Sequence, residues 1–212
     1  MVANTEYLDG NIVQDVRSAD RRSAFVKAAR DAFFSNGYAG TSMSSIAVRV
    51  GGSKTTLWNY FPSKEALFAA VIDGVVEQYG TALAVDFSVD EPVETVLYRF
   101  GSALLDTVLS GPIIALHRMV IAEAVRFPEL SEMFFERGAK RGQARLAGYL
   151  RSTMDRGLLQ DGDATVSAKH FTALCLSGCF QLALLGIADQ PTRSSVNVDL
   201  DNAISTAMRA WM

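Results

Sequence analysis

Histidine and cysteine are scarce, two of each in 212 residues. Cys175 and Cys179 have no further cysteine with which to build a disulfide framework or a metal cluster, and His117 and His170 lie 53 positions apart with no HExxH zinc pattern. A Gly-rich phosphate loop is missing too. An enzymatic reading therefore has no motif to rest on, and no catalytic residue, metal site or cofactor is expected. Prolines number only five, and unbroken alternation of β-branched residues is almost absent, which speaks for an all-α chain. The formal charge of −3 excludes a uniformly basic coat for nucleic acid but leaves room for a local patch.

Two further absences bear on location. Residues 1–17 carry Glu6, Asp9 and Asp15 and lack the basic head and apolar run of a secretory signal, so a flexible tail, or an arm that orders on DNA, is expected there. The longest apolar stretch, 168–188, could span a bilayer by length, but it includes Lys169, His170 and Gln181. A single buried helix, with no membrane partner, is the expectation. Buried thiols suit a reducing compartment, and the chain reads as cytoplasmic.

What is present builds a core: 49% of residues are hydrophobic and 20% charged, enough for one or two compact units. The charge is unevenly divided. Residues 17–64 hold Arg17, Arg21, Arg22, Lys27, Arg30, Arg49, Lys54 and Lys64 against Asp20 and Asp31, whereas from residue 65 onward 12 basic face 18 acidic side chains. One end suits polyanions and the larger body does not.

A 3.6-residue apolar period through Phe25, Ala28, Ala29, Ala32 and Phe33 predicts a first helix over 18–36, ended by Gly37. Ser42 is placed to cap a short helix over 43–50 and Ser53 another over 54–60, with Phe61 as its boundary before Pro62. A fourth helix starts at Lys64 and carries Leu67, Phe68, Val71, Ile72 and Val75 on one side. Later helices are expected at 91–109, 112–125, 128–156, 163–188 and 196–210. The resulting architecture is a three-helix head over 18–63 and a larger helical body over 64–212, with Arg118, Glu123, Arg126, Glu129 and Glu132 as ion-pair candidates within the body.

The two short helices and their tight turn carry the functional reading. Ile46, Ala47 and Val50 can face Leu57 and Phe61, leaving the far side of the second helix outward. In a helix-turn-helix that side enters the DNA major groove, where base edges present a distinguishable donor and acceptor pattern. Thr55, Thr56 and Asn59 are short polar readers, while Ser53, Lys54, Trp58 and Tyr60 can meet the sugar-phosphate backbone. Lys64 can clamp a second phosphate, or simply be a solvated helix start, and Ser53 needs no role beyond capping. Thr41 and Ser42, at the entry to the unit, complete the candidate DNA-contacting set.

Gly37-Tyr38 through Thr41, Ile46-Ala47, Gly51, Ser53-Lys54, Thr56-Leu57 and the run Tyr60-Phe61-Pro62-Ser63-Lys64-Glu65-Ala66-Leu67-Phe68, in that order, resemble the TetR family of transcriptional regulators. The resemblance implies a homodimeric repressor with an N-terminal DNA-binding domain of three helices and a larger effector-binding domain. Val50 and Gly52 depart from the family pattern, which has Ala and an apolar residue such as Val there, and Trp58 replaces the usual Tyr. More distantly, residues 116–185 resemble the C-terminal domain of AefR-like TetR regulators, which implies a dimeric sensing module.

In the body, Phe171, Leu174, Cys175, Gly178, Cys179, Leu182 and Leu185, with Val196, Val198, Leu200, Ile204, Met208 and Trp211 on the last helix, need burial. The resemblance assigns these two helices to a four-helix dimer interface. Effector candidates on inward faces are Phe100, Leu104, Leu116, His117, Val120, Phe134, Tyr149 and Phe171, and the same residues suit an ordinary core. The expected function is operator occupancy on palindromic double-stranded DNA as a homodimer, relieved by a small apolar or amphipathic effector. The rival is a non-enzymatic helical interaction or scaffold module.

Overall fold

The computed structural model describes residues 6–188 and 190–212, with side chains from Ser18 onward. The helices are α1 (Glu6–Asn36), α2 (Met43–Arg49), α3 (Lys54–Tyr60), α4 (Lys64–Tyr79), α5 (Val93–Val108), α6 (Gly111–Glu123), α7 (Pro128–Arg137), α8 (Ala139–Asp155), α9 (Ala164–Leu176), α10 (Cys179–Leu184) and α11 (Arg193–Trp211), with a 3₁₀ turn at Thr81–Ala84. Among the described residues there is no strand. Two compact units, Met1–Gly74 and Val75–Met212, divide inside α4 rather than at its start, where the 63/64 boundary was expected. A boundary drawn at a turn misses that α4 supplies Leu67, Phe68, Val71 and Ile72 to the core of the first unit.

The part of the expected tail over 6–17 continues α1, and residues 1–5 lie outside the described residues. Nothing between Glu6 and Asn36 breaks a helix outright, since no proline interrupts it. In the first unit α1 buries Phe25, Ala29, Ala32 and Phe33, which meet α2 through Met43, Ile46 and Ala47 and α4 through Phe68. Phe33, Tyr38 and Phe68 form a three-ring cluster with centroids 5.4 to 5.5 Å apart. Each such side chain contributes about 1.5–3 kcal/mol on burial.

The second unit is built around α5, α8, α9 and α11, whose Val96, Leu97, Phe100, Leu150, Phe171 and Leu200 share one core. Two expected single helices are broken here. The 128–156 helix ends at Gly138, whose backbone (φ −112°, ψ −91°) leaves the helical region, and restarts as α8. The 163–188 helix breaks at Ser177 and Gly178. The cause of the second break lies in α11: the Asp199 carboxylate accepts the Cys179 N–H at 2.6 Å and occupies the space that a Cβ on residue 178 would need. At the other end of α10, Arg118 donates from Nη2 to the Ala183 carbonyl at 2.6 Å and from Nε to that of Leu184 at 3.1 Å. An anion at the N-terminus and a cation at the C-terminus complement the dipole of a helix too short to stand alone. Arg118 thus serves α10 through these two carbonyls. Among the described residues no single helix is long and apolar enough to cross a membrane.

Cys175 is fully buried and Cys179 nearly so. Burial pushes the Cys175 thiol up to about 12 and raises that of Cys179, so neither forms thiolate at neutral pH. Iodoacetamide followed by mass spectrometry should therefore leave both thiols unmodified in the native protein and label both after denaturation.

Candidate nucleic-acid interface and effector cavity

Both short helices are set by local hydrogen bonds. Ser42 Oγ accepts the Ser45 N–H at 3.0 Å, and Ser45 Oγ in turn accepts the Ser42 N–H at 3.3 Å, closing a capping box. Gly51 takes φ +67° between α2 and α3, a left-handed conformation that side-chain-bearing residues seldom adopt. Ser53 then caps α3 by accepting the Thr56 N–H at 3.0 Å. Phe61 leaves the helix in an extended conformation (φ −136°, ψ 103°), as the following proline demands.

Burial orients α3 unambiguously. Leu57 is 0% and Phe61 2% exposed, whereas Lys54, Thr55 and Asn59 are exposed and Trp58 is 47% exposed. Thr56 is half-buried, its hydroxyl 2.8 Å from that of Ser53. Tyr60 ties the helix to α1: its hydroxyl lies 3.0 Å from Ser18 Oγ and its ring 6.0 Å from Phe25. Arg22 of α1 stacks over Phe61 at 5.1 Å.

Three of the expected DNA-contacting residues also bond within the unit. Thr41 is buried, and its hydroxyl donates to the Ala32 and Gly37 carbonyls at 3.1 and 2.8 Å, joining the end of α1 to the start of α2. The Lys64 ammonium donates to the Tyr38 carbonyl and sits 4.0 Å over the Tyr38 ring, which accounts for a cation at a helix start without a phosphate. Tyr60 spends its hydroxyl on Ser18. Tyr38, whose residue type alone gave no sign of a role, is the hub: nearly fully buried, it also donates from its hydroxyl to Glu65 Oε1 at 3.1 Å. The Glu65 carboxyl is held below the usual range, chiefly by a backbone hydrogen bond and by Ser63, with a smaller contribution from Tyr38.

The space left by Gly52 is filled from α1. A Cβ on Gly52 would lie 3.0 Å from Phe25 Cζ, so the aromatic ring replaces the branched side chain of the family pattern, and Val50 stays partly exposed.

In the second unit a cavity of about 110 Å³ opens between the C-terminal half of α5, α6, α7, the start of α8 and α9. Phe100, Leu104, His117 and Phe134 line it as expected. Leu116, Val120, Tyr149 and Phe171 do not: Leu116, Val120 and Phe171 are buried in packing, and Tyr149 stacks on Phe87 with centroids 5.4 Å apart. Unforeseen liners include Thr107, Ile113, Gln143 and Thr172, together with Val76 and Gly80 at the end of α4. Small residues, Gly138, Ala139 and Gly142, open the α8 wall, and that cluster of small side chains was the available sequence signal. His117 Nδ1 lies 2.9 Å from the Ile113 carbonyl, and its ring meets Phe134 and Phe180 edge-on at 4.6 and 5.2 Å. Burial lowers its pKa from 6.5, only partly opposed by that hydrogen bond.

With this geometry the comparisons with known proteins agree. The profile described as bacterial regulatory proteins, tetR family, matches residues 25–71, and the one described as AefR-like transcriptional repressor, C-terminal domain, matches residues 95–212. A helix-turn-helix head and a separate helical body define a DNA-binding transcriptional regulator. The chain belongs to the TetR family, with an AefR-like C-terminal domain. It is 44% identical over 57 residues to the HTH-type transcriptional regulator RutR of Escherichia coli, a match that spans 27% of this chain and 27% of RutR, about a quarter of that relative's length. Solved structures match far more. The flavonoid-responsive regulator FrrA superposes with a TM-score of 0.81 at 29% identity, and a Mesorhizobium loti protein assigned to the TetR-family regulators with 0.78 at 28%; each covers 92% of this chain and 98% of its own. Salmonella enterica GusR, at 23% identity and a TM-score of 0.65 over 90% of this chain and 96% of its own, shares the fold.

Two measurements test these sites. Gly52→Val should lower the stability of the head by about 1–3 kcal/mol in urea unfolding, because the added side chain would press on the fully buried Phe25 ring; an unchanged midpoint would show that the ring is not packed there. His117 is neutral in the fold and accepts a proton more readily once unfolded, so its stabilising effect is complete above pH 6.5 and declines as pH falls below that value. The drop in unfolding free energy between about pH 7.5 and about pH 5.5 should be smaller in His117→Gln than in the unaltered protein.

Proposed function

We propose that this regulator is a ligand-responsive repressor, a homodimer that occupies a palindromic operator in the cytoplasm and is released by a small apolar or amphipathic molecule. The observation that carries the reading is the two-sidedness of α3: Lys54, Thr55 and Asn59 stand outward on a helix anchored by Leu57 and Phe61. Thr55 and Asn59 read base edges. Ser42, Ser53, Lys54, Thr56 and Trp58 contact the backbone, the exposed Trp58 indole N–H donating where the family pattern has a Tyr hydroxyl. Thr41, Tyr60 and Lys64 hold the unit together from within.

One seven-residue helix covers a single half-site, so a second copy is required. Leu182, Leu185 and Val198 are exposed on α10 and its flank and on α11, and burying them between two copies supports the dimer. The effector enters the cavity bounded by Phe100, Leu104, His117 and Phe134. FrrA, of the same fold, is flavonoid-responsive by name, which supports an aromatic effector. Occupancy presses on Val76 and Gly80 and thereby on α4, the helix that begins in the DNA-binding unit. Release follows only where the effector binds the released shape more tightly than the DNA-competent one. No catalytic step is part of this function.

Selection from a random duplex library, with sequencing of the retained DNA, should enrich a palindrome whose half-sites lie about 34–36 Å apart. Lys54→Ala should weaken binding to all duplexes and reduce the salt slope by about 1, while Asn59→Ala should relax preference at one position per half-site at a cost of about 1–3 kcal/mol there. Enrichment of no sequence, with tight binding to a protein partner instead, would favour the scaffold reading. Equal losses on every sequence for both variants would refute the division of roles.

A further inference from the structure

The chemistry of the cavity wall narrows what can occupy it. Among its lining residues none is Asp, Glu, Lys or Arg. A carboxylate or ammonium brought inside would surrender its hydration with no opposite charge to meet it. Four lining side chains carry polar atoms: Thr107, His117, Gln143 and Thr172. The Thr107 hydroxyl donates to the Ala103 carbonyl at 2.8 Å and that of Thr172 to the Ala168 carbonyl at 2.8 Å, so both protons are spent on their own helices. Nδ1 of His117 faces the Ile113 carbonyl at 2.9 Å. A carbonyl only accepts, which places the ring proton on Nδ1 and leaves Nε2 as a lone pair. Burial keeps the ring in this neutral form. The wall is therefore rich in acceptors and poor in donors, with the Gln143 amide as its one donating side chain.

Shape adds a second restriction. The walls are aromatic at Phe100 and Phe134, with His117 held edge-on to Phe134 and Phe180. The volume of about 110 Å³ is on the scale of cavities that admit one benzene ring.

We infer that the cavity takes an uncharged single-ring hydrogen-bond donor of the phenol class, its hydroxyl donating to His117 Nε2 and its ring lying between Phe100 and Phe134. This inference rests on the proposed role of the cavity as the effector site and adds the ligand's chemistry to it. A neutral O–H matches the free lone pair, an aromatic ring matches the walls, and an anion of the same size is refused.

Isothermal titration calorimetry on the full-length protein, without DNA and at neutral pH, tests it with phenol and toluene, of nearly equal size, and with benzoate, a single-ring anion two heavy atoms larger. Phenol should bind about tenfold more tightly than toluene, the value of one good buried hydrogen bond, and benzoate should bind more weakly than either. In His117→Leu the phenol-to-toluene ratio should fall to about one while toluene binding persists, and His117→Gln, which restores an acceptor oxygen, should recover part of the ratio. Toluene equal to phenol, benzoate tightest of the three, no binding of phenol, or an unchanged ratio in His117→Leu would overturn the inference. The probe ranking in the unaltered protein decides even where a variant folds poorly. Phenol binding by a protein that enriches no palindrome refutes the repressor reading alone, and a palindrome-binding protein indifferent to phenol refutes this inference alone.

Discussion

A helix of seven residues has no stability of its own, because nucleation costs more than two turns of hydrogen bonds return. Everything that α3 does depends on what grips it. The grip has three parts: the Ser53 cap at its start, Leu57 and Phe61 sunk into the unit, and Tyr60 fastened to Ser18 and Phe25 of α1. Each acts on the inner face or an end, so the outer face remains available for contact. The same logic extends to Tyr38. Its carbonyl, ring and hydroxyl engage Lys64, Phe33, Phe68 and Glu65, fixing the connection between α1 and α2 against the start of α4. Residues conspicuous by charge or hydroxyl, Lys64 and Thr41, thus bond within the unit and help set the position of α3.

Local signals were legible and distant ones were not. Ser42, Gly51, Ser53 and Pro62 each act within a few residues of themselves, and the helix boundaries in the head follow from them. The break at Gly178 has its cause in Asp199, on a different helix, and an apolar run gives no hint of a carboxylate arriving from elsewhere. The internal bonds of Thr41 and Lys64 were hidden for the same reason: their acceptors are backbone carbonyls of Ala32, Gly37 and Tyr38, and a carbonyl leaves no trace in residue type. In the body, periodicity shows that Phe100, Leu116, Val120, Phe134, Tyr149 and Phe171 face inward. It does not show where inward-facing groups fail to meet. That depends on small residues, and Gly138, Ala139 and Gly142 open the wall opposite His117.

The difference between a cavity and a core is therefore one of missing volume, and missing volume is costly. Unfilled apolar space forfeits contacts worth about 24 cal/mol per Å³, so a void of about 110 Å³ withholds roughly 2–3 kcal/mol from the second unit. A ligand that fills it recovers that contact energy on entry. The aromatic edge contacts of His117 and its bond to Ile113 keep the void from collapsing, because turning the ring inward would sacrifice all three.

Whether filling the cavity moves anything depends on the stiffness of what surrounds it. The segment after α4 is held by three arginines: Arg145 bonds the Leu83 and Val85 carbonyls, Arg99 the Asp86 carbonyl and, bidentately, Glu91, and Arg156 the Val89 carbonyl and Asp90. Exposed ion pairs contribute little to stability singly, yet six anchor points along one short connection remove its slack. Phe87, pinned between Arg145 and Tyr149, adds an apolar peg. A loose connection would absorb a displacement of Val76 and Gly80 by rearranging after α4. In the proposed mechanism a fastened one leaves α4 itself as the part that yields, and the free-energy difference between filled and empty cavity would then be expressed along that helix. The proposed ligand response therefore needs the clamp and the cavity together, because neither the void without the fixed strap nor the strap without the void would transmit the presence of a ligand.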